Sequence, residues 1–258
     1  MPQVKTWQRP VDFFVTIILW IYFLGGAILL FFFLYLPAYF FAKDRAGVFQ
    51  YLNHIHLKNF FSLLRLLAGR TQFIIPEEIR RIRGAVIVCN HLSYLDPILL
   101  ISLLPRQCTI IKSTFLKVPI FGLMLQAAGY IPSAPQEMLG PAMIKNLEII
   151  KNNLAAGAVL FIFPEGTRSR TGKLGPFSKG VFSIARYCNA PLKLVHISGT
   201  DKLFQPGAFL FRTRSAKEIK LELIGSLHPE YKNGDFSASA LAEEVRGIFV
   251  GKISRQES

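Results

Sequence analysis

The chain has 258 residues, enough for one sizeable α/β domain and a small appendage, and 51% of the residues are hydrophobic. The formal net charge is +14. Nucleic-acid binders usually combine basic residues with exposed aromatics or a recognisable module, and the sequence has neither, so no nucleic acid is expected as a partner. Basic residues beside an apolar segment are better explained by attraction to the acidic head groups of a membrane.

The first element along the chain is an apolar run from Phe13 to Ala42. Spanning a bilayer takes about 20 apolar residues, so this run is long enough, and it is too long for the core of a signal peptide. A pair of glycines near its middle and Pro37 near its end leave two geometries open, one tilted spanning helix or a hairpin that enters one leaflet. Basic residues flank both ends, so the positive-inside rule does not decide the orientation. We expect residues 1–45 to attach the protein to a membrane and residues 46–258 to form an α/β domain.

Residues 54–70 have the spacing of an amphipathic helix. Two interpretations are open: a helix that lies on a lipid surface, with its basic residues in the head groups, or an ordinary helix that packs on a core. The apolar face predicted in both cases consists of Leu57, Phe60, Phe61, Leu64 and Leu67.

The rest of the chain alternates between apolar runs of strand length and helical patterns. Strands are predicted at 84–89, 108–112, 158–163, 192–197 and 219–224, a short extended piece at 130–132, and helices at 115–128 with a break at Pro119, 137–156, 178–189 and 237–253. This order predicts an α/β fold, a mixed sheet flanked by helices. Functional sites in such sheets form at the carboxyl ends of strands.

The first unusual loop follows the strand at 84–89 and reads NHLSYLD at 90–96. Asp is a favoured N-cap and Pro a favoured first helical residue, so a helix is predicted to begin at Asp96 and Pro97. A carboxylate bound to one imidazole nitrogen of His91 fixes the tautomer and leaves the other nitrogen to take a proton from a hydroxyl. The competing interpretation is a purely structural hydrogen bond. No second His or Cys lies at a zinc-ligand spacing nearby, so no metal is expected.

The second unusual loop follows the strand at 158–163 and reads FPEGTRSR at 163–170. The fork of an arginine matches phosphate oxygens in a bidentate manner, which makes Arg168 and Arg170 natural phosphate ligands. Lys179, near the start of the next helix, would add a point charge. A solvated basic surface loop is the alternative, but a Pro-Glu-Gly-Thr turn at a strand end favours the functional interpretation.

Both loops, in this order and about 70 residues apart, resemble the two signature motifs of the glycerolipid acyltransferase family. Its best-known members are the 1-acylglycerol-3-phosphate acyltransferases, and the likeness spans residues 81–199. The resemblance implies that His91 and Asp96 form a catalytic pair that activates a glycerol hydroxyl against an acyl thioester.

The resemblance further implies which residues bind substrate and which partners the protein has. The acceptor is expected to contact Glu165, Gly166, Thr167, Arg168 and Arg170, with Lys112 and Gly129 carried over from an intermediate block of the family, Lys-x6-Pro-x2-Gly…Gly. The expected partners are a lysophospholipid acceptor, acyl-CoA or acyl carrier protein as the donor, and membrane lipids at the cytoplasmic face of the inner membrane. No cofactor is implied.

The chain departs from the family pattern at two positions. Pro135 stands where an arginine commonly contacts the acceptor phosphate, and Leu194 stands where the fourth block usually has a proline. Losing one charge-assisted contact typically costs about 1.5–3 kcal/mol, enough to change the acceptor preference. The alternatives are therefore an acyltransferase for another lysolipid or hydroxylated lipid, and a non-catalytic lipid-binding protein.

A lipid hydrolase would need an enzyme nucleophile. Ser93 has no Gly-x-Ser-x-Gly elbow around it. Cys89 is expected to be a small core residue, and the spacing of the three cysteines predicts reduced thiols without disulfides.

Overall fold

The computed structural model describes residues 8–69, 71–133, 141–169, 173–215 and 218–257. Within these ranges a single sheet has seven strands in the order β1-β7-β6-β2-β5-β3-β4. The strands are β1 (Gln72–Ile74), β2 (Val86–Cys89), β3 (Gln107–Lys112), β4 (Ile131–Ser133), β5 (Val159–Ile162), β6 (Leu192–Ser198) and β7 (Glu218–Leu227). Neighbouring strands are parallel except for β6 and β7, which confirms the predicted mixed sheet.

Helices flank this sheet and connect its strands. In the described part of the chain they are α1 (Gln8–Trp20), α2 (Gly26–Leu30), α3 (Leu36–Phe41), α4 (Arg45–Leu67), α5 (Glu77–Arg80), α6 (Leu95–Leu103), α7 (Ser113–Leu116), α8 (Phe121–Ala127), α9 (Pro141–Ala155), α10 (Lys179–Cys188), α11 (Thr200–Leu203) and α12 (Ala238–Glu257). Helix α4 packs on α6, and α10 packs on both α9 and α12. The central strands β2 and β5 are buried along their whole length, as the continuous apolar runs predict.

The N-terminal helices form one continuous helical run, because π-helical turns at Ile21–Gly25 and Phe31–Tyr35 join α1, α2 and α3 without a break. Of the two geometries left open by the sequence, the structure has the single helix. Its segment Pro10–Phe41 is long and apolar enough to cross a membrane, and its most apolar window of 18 residues has a mean hydropathy of 2.6. Only 11% of its most apolar window is buried.

One stripe of this long helix packs on the α/β domain. The hydroxyl of Thr16 accepts a hydrogen bond from the backbone N–H of Phe211 at 2.9 Å, and the Tyr35 hydroxyl donates to Oδ1 of Asn53 in α4 at 2.7 Å. The opposite side exposes large apolar side chains, among them Phe14, Ile21, Leu29, Phe33, Phe40 and Phe41. A helix exposed in this way needs an apolar environment other than the domain itself.

Helix α4 decides between the two interpretations of the amphipathic pattern at 54–70. Leu57, Phe60, Phe61 and Leu64 are buried in the core, and Leu67 packs against it at partial burial. Lys58 and Arg65 are exposed. The core-packing interpretation therefore describes this helix, and Arg70 lies outside the described residues.

The predicted start of α6 at Asp96 is wrong. The helix begins at Leu95, with Tyr94 in the N-cap position, and Asp96 lies in the first turn. The reason is local: the Asp96 carboxylate turns back onto backbone N–H groups of the preceding loop, while the Ser93 hydroxyl accepts from the N–H of Leu95 at 3.2 Å. Asp96 thus holds the loop rather than capping the helix.

One other prediction differs in detail, and two further elements need comment. The helix predicted at 115–128 is two short helices, α7 and α8, separated around Pro119. Strand β1 was not predicted, since three residues are too few for a periodic signal. The first residues of the helix predicted at 137–156 lie outside the described part of the chain, where α9 is described from Pro141.

Candidate active site

The two loops singled out in the sequence meet at the carboxyl edge of the sheet, because β2 and β5 are adjacent parallel strands. Their register pairs Val88 with Ile162. Three residues further on, the backbone N–H of His91 donates to Oε1 of Glu165 at 2.9 Å. Strand β3, on the other side of β5, ends at the same edge with Lys112, whose side chain is exposed.

The Asp96 carboxylate is the centre of the site and is fully buried. Its Oδ2 lies 2.9 Å from Nδ1 of His91 and accepts from the backbone N–H groups of Leu92 at 2.6 Å and Ser93 at 2.8 Å. Its Oδ1 accepts from the hydroxyl of Thr200 at 2.6 Å. Because a carboxylate accepts, Nδ1 carries the imidazole proton and the lone pair is on Nε2. This is the arrangement of a general base.

The imidazole of His91 is held by contacts on several sides. Its ring stacks on Phe163, with 4.1 Å between the ring centroids and 22° between the planes. The backbone oxygen of the same residue, His91, accepts a hydrogen bond from the N–H of Ser169 at 2.8 Å. The side chain remains 16% exposed, so the ring is fixed in orientation and reachable from outside.

Glu165 uses both carboxylate oxygens on backbone donors. While Oε1 accepts from His91, Oε2 accepts from the N–H of Gly175 at 2.9 Å. The carbonyl of Gly175 in turn accepts from Nε of Arg246 on α12 at 3.2 Å. Glu165 therefore links the basic loop to the loop that contains His91 by hydrogen bonds. With both oxygens bonded to backbone N–H groups, its carboxylate holds the His91 loop in place and does not point to a direct contact with substrate.

The next residues of the basic loop differ in exposure: Gly166 and Thr167 are exposed, and Arg168 is partly buried. Gly166 has φ +68°, a left-handed conformation that favours glycine, and among the described residues beyond its chain neighbours none lies within 4 Å of the place where a Cβ would be. The guanidinium carbon of Arg168 lies 3.4 Å above the centre of the Tyr94 ring. Arg170 lies outside the described residues.

Gly129 follows the C-terminus of α8 and lies away from the motif loops in the chain. It has φ +75°, and its N–H donates to the carbonyl of Gln126 at 2.9 Å, as at many helix C-termini. A Cβ there would lie 3.3 Å from Nδ2 of Asn153. Its role is conformational, and Pro135, six residues later, lies outside the described part of the chain.

Sequence reasoning missed Thr200 and assigned no role to two residues of the first loop, Asn90 and Tyr94. Thr200 follows the carboxyl end of β6, so the rule that sites form at such ends would have included it. The Asn90 amide donates to the carbonyl of Ile197 and accepts from its N–H, both at 2.8 Å, and thereby joins β2 to β6 beside His91. No local sequence pattern predicts these hydrogen bonds between Asn90 and Ile197.

The two residues considered as alternative nucleophiles are not accessible. Ser93 is fully buried, and its hydroxyl donates to the carbonyl of Phe204 at 2.6 Å. Cys89 is fully buried as well, and burial, reinforced by the charge of Asp96, raises the pKa of its thiol well above the ordinary value. A buried neutral thiol is a poor nucleophile.

Replacing Thr200 by valine removes the donor to Oδ1 of Asp96 and leaves that oxygen buried without it. Because hydrogen bonds to charged groups contribute about 1.5–3 kcal/mol, we expect the free energy of unfolding to fall by that amount. Thr200→Ser keeps the hydroxyl and serves as the matched control in urea denaturation. Equal stability of the valine variant and the wild type would show that this bond contributes nothing.

Comparisons with known proteins identify the family of the chain. Residues 70–198, half of the chain, match the family model described as Acyltransferase. The chain is 32% identical over 204 residues to a 1-acyl-sn-glycerol-3-phosphate acyltransferase of Saccharomyces cerevisiae, covering 75% of this chain and 63% of the relative. It is 29% identical over 150 residues to the human beta form, covering 58% of this chain and 54% of the relative. The chain belongs to the acyltransferase family.

The fold also has a solved counterpart. The crystal structure of the 1-acyl-sn-glycerophosphate acyltransferase PlsC from Thermotoga maritima matches with a TM-score of 0.69 and 20% sequence identity, covering 97% of both chains. A chloroplastic acyltransferase of Brassica napus is 34% identical over 125 residues, covering 48% of this chain and 35% of that protein. The chain spans less than two thirds of the length of the yeast and Brassica relatives.

Proposed function

We propose that the protein is an O-acyltransferase that moves a fatty acyl group from acyl-CoA or acyl carrier protein to the free hydroxyl of 1-acyl-sn-glycerol-3-phosphate, giving phosphatidic acid. The observation that carries the proposal is the hydrogen bond between Nδ1 of His91 and the buried Asp96, which leaves Nε2 as a base beside a basic loop. The names of the curated relatives support this choice of reaction and acceptor.

The chemistry requires one base and no cofactor. Asp96 orients His91, whose Nε2 removes the proton of the acceptor hydroxyl as its oxygen attacks the thioester carbonyl. The C–S bond then breaks, an ester forms, and the thiolate leaves and takes up the proton from the imidazolium. Because a thiolate is a good leaving group, no covalent acyl-enzyme is needed.

The acceptor binds to the basic loop at 163–170 in this proposal. Arg168, with Arg170 and Lys112, supplies positive charge for the phosphate, while Gly166 and Thr167 allow the loop to approach the lipid closely. Glu165 acts indirectly, because both of its oxygens are occupied by backbone N–H groups.

The acceptor can be tested on membranes that contain the full chain. Radiolabelled acyl-CoA and acyl carrier protein are offered as donors with lysophosphatidate, lysophosphatidylcholine, lysophosphatidylglycerol and monoacylglycerol as acceptors. Phosphatidic acid is the expected product. If lysophosphatidate is not acylated and another lysolipid is, the proposed acceptor is wrong. Acylation of another lysolipid is the second candidate function, and it is favoured by Pro135, which stands where the family commonly has a phosphate-binding arginine.

Residues 1–45 serve as the membrane segment in this proposal, and residues 46–258 as the catalytic domain at the cytoplasmic face. The exposed apolar side of the helix Pro10–Phe41 and the excess of basic residues both fit a surface of anionic lipids.

The membrane segment makes a prediction about extraction. Wild-type protein should stay with membranes washed in alkaline carbonate, and Ile21→Asp combined with Leu29→Asp, both exposed near the middle of Pro10–Phe41, should release a large part of it, because each carboxylate near the bilayer centre costs about 2.5–3.5 kcal/mol. Ile144→Asp, on α9, is the matched control, since Ile144 is also an exposed apolar residue (63%). Full extraction of the wild type by carbonate would contradict the proposed segment.

A further inference from the structure

Tyr94 and Arg168 form a contact that the proposed reaction does not yet use. The guanidinium carbon of Arg168 lies 3.4 Å from the centroid of the Tyr94 ring, close enough for stacking and cation–π attraction. Tyr94 occupies the N-cap position of α6, and its side chain is 45% exposed. A tyrosine exposed to this extent contributes little to the core, so its use lies in what it contacts.

The guanidinium has a donor without an acceptor. Nη1 of Arg168 is shielded from solvent and has no hydrogen-bond partner among the described residues. Polar groups buried in this way are rare in proteins and call for a partner. An anionic oxygen at this place would accept from Nη1, and the fork of an arginine suits a phosphate in particular.

The contact is adjacent to the catalytic histidine. The residue after Arg168, Ser169, donates its N–H to the backbone oxygen of His91 at 2.8 Å, and Tyr94 follows His91 by three residues. The stacked pair is therefore formed by the same two loops that hold the base. A phosphate held there would belong to a substrate whose hydroxyl is within reach of the imidazole.

We propose that Tyr94 is a positioning residue for acceptor recognition: its ring holds the Arg168 guanidinium in one orientation, and Nη1, which has no acceptor among the described residues, pairs with the phosphate when the lysolipid enters the site. This inference rests on the proposed function. Without the ring, a long arginine side chain must lose rotamer freedom each time the acceptor binds, so binding weakens. The replacement of the family's second arginine by Pro135 makes the ordering of Arg168 more important.

The test is a steady-state comparison of Tyr94→Leu, Tyr94→Met and Tyr94→Phe in the full chain. Loss of the ring should raise KM for lysophosphatidate about 3–20-fold and change kcat less than about twofold, since the contact affects binding and not proton transfer. Tyr94→Phe keeps the aromatic face and should restore KM. Tyr187→Leu is the matched control, because Tyr187 is 42% exposed and also lies under a cation, Lys151.

A double-variant cycle shows whether Tyr94 acts through Arg168. In an Arg168→Leu background, Tyr94→Leu should add no further rise in KM. The proposal is overturned if KM is unchanged in Tyr94→Leu and Tyr94→Met, if the rise persists without Arg168, or if Tyr94→Phe is as impaired as Tyr94→Leu.

Equilibrium binding of radiolabelled lysophosphatidate to the detergent-solubilised protein separates this inference from the proposed reaction. No turnover by the wild type, with binding that weakens in Tyr94→Leu, refutes the reaction and upholds the role of Tyr94. Turnover by the wild type with equal KM in both proteins refutes the role of Tyr94 alone. Absence of both turnover and binding refutes the two together.

Discussion

Replacement of His91 by alanine is expected to lower kcat by about 10²–10⁴-fold, the usual contribution of a positioned general base. The imidazole is the group that the structure orients for this task, with Nδ1 on the Asp96 carboxylate and one face stacked on Phe163. The acceptor phosphate is expected to bind elsewhere, so KM should change little. The measurement is the initial rate of phosphatidic acid formation at saturating donor and acceptor.

Two controls separate loss of the base from loss of the fold. His228→Ala removes an exposed histidine at the end of β7 and should leave the rate unchanged. Thermal unfolding of His91→Ala shows whether the protein still folds after losing the stacked ring. If a folded His91→Ala variant kept its full rate, the proposed mechanism would be wrong.

Replacement of Asp96 by asparagine is the second large effect, an expected loss of about 10²-fold or more in kcat. The amide has nearly the same shape, and the Thr200 hydroxyl is able to accept from its NH₂ group, so the fold is expected to survive. The charge is lost, however, and with it the stabilisation of the imidazolium that forms during the reaction. His91 also loses the anion that keeps its proton on Nδ1.

Thermal unfolding distinguishes this effect from misfolding. An Asp96→Asn variant that unfolds cooperatively, as the wild type does, should show a lower kcat with an unchanged KM. Asp235→Asn, on an exposed turn, is the matched control and should behave as wild type. A rate within about threefold of wild type would show that the carboxylate charge is not needed, and the pair would then be structural.

The sequence predicted which two loops form the candidate site, but it predicted the roles of the residues in that site only in part. The loops at 90–96 and 163–170 stood out because each follows a buried apolar run, and parallel strands bring such loops to one edge. The role of Glu165 was not predictable, because its two acceptor bonds reach backbone groups 74 and 10 residues away in the chain. Thr200 reaches Asp96 across 104 residues.

The amphipathic pattern of α4 also failed to predict what the helix packs against. An apolar helical face looks alike whether it packs on lipid or on a core, since hydrophobic periodicity records only which side avoids water. The partner is decided by long-range packing, here by helix α6 and the N-terminal helix.

The sequence by itself determined the class of fold, the apolar N-terminal helix and the histidine–aspartate pair, because local periodicity and short motifs are written in neighbouring residues. Tertiary structure alone decided the strand order, the antiparallel pairing of β7, the hydrogen bond from Thr200 to Asp96 and the ring of Tyr94 under Arg168. Each of these features depends on which distant segments come into contact when the sheet assembles. Contacts of that kind follow from packing of the whole chain and leave no local pattern.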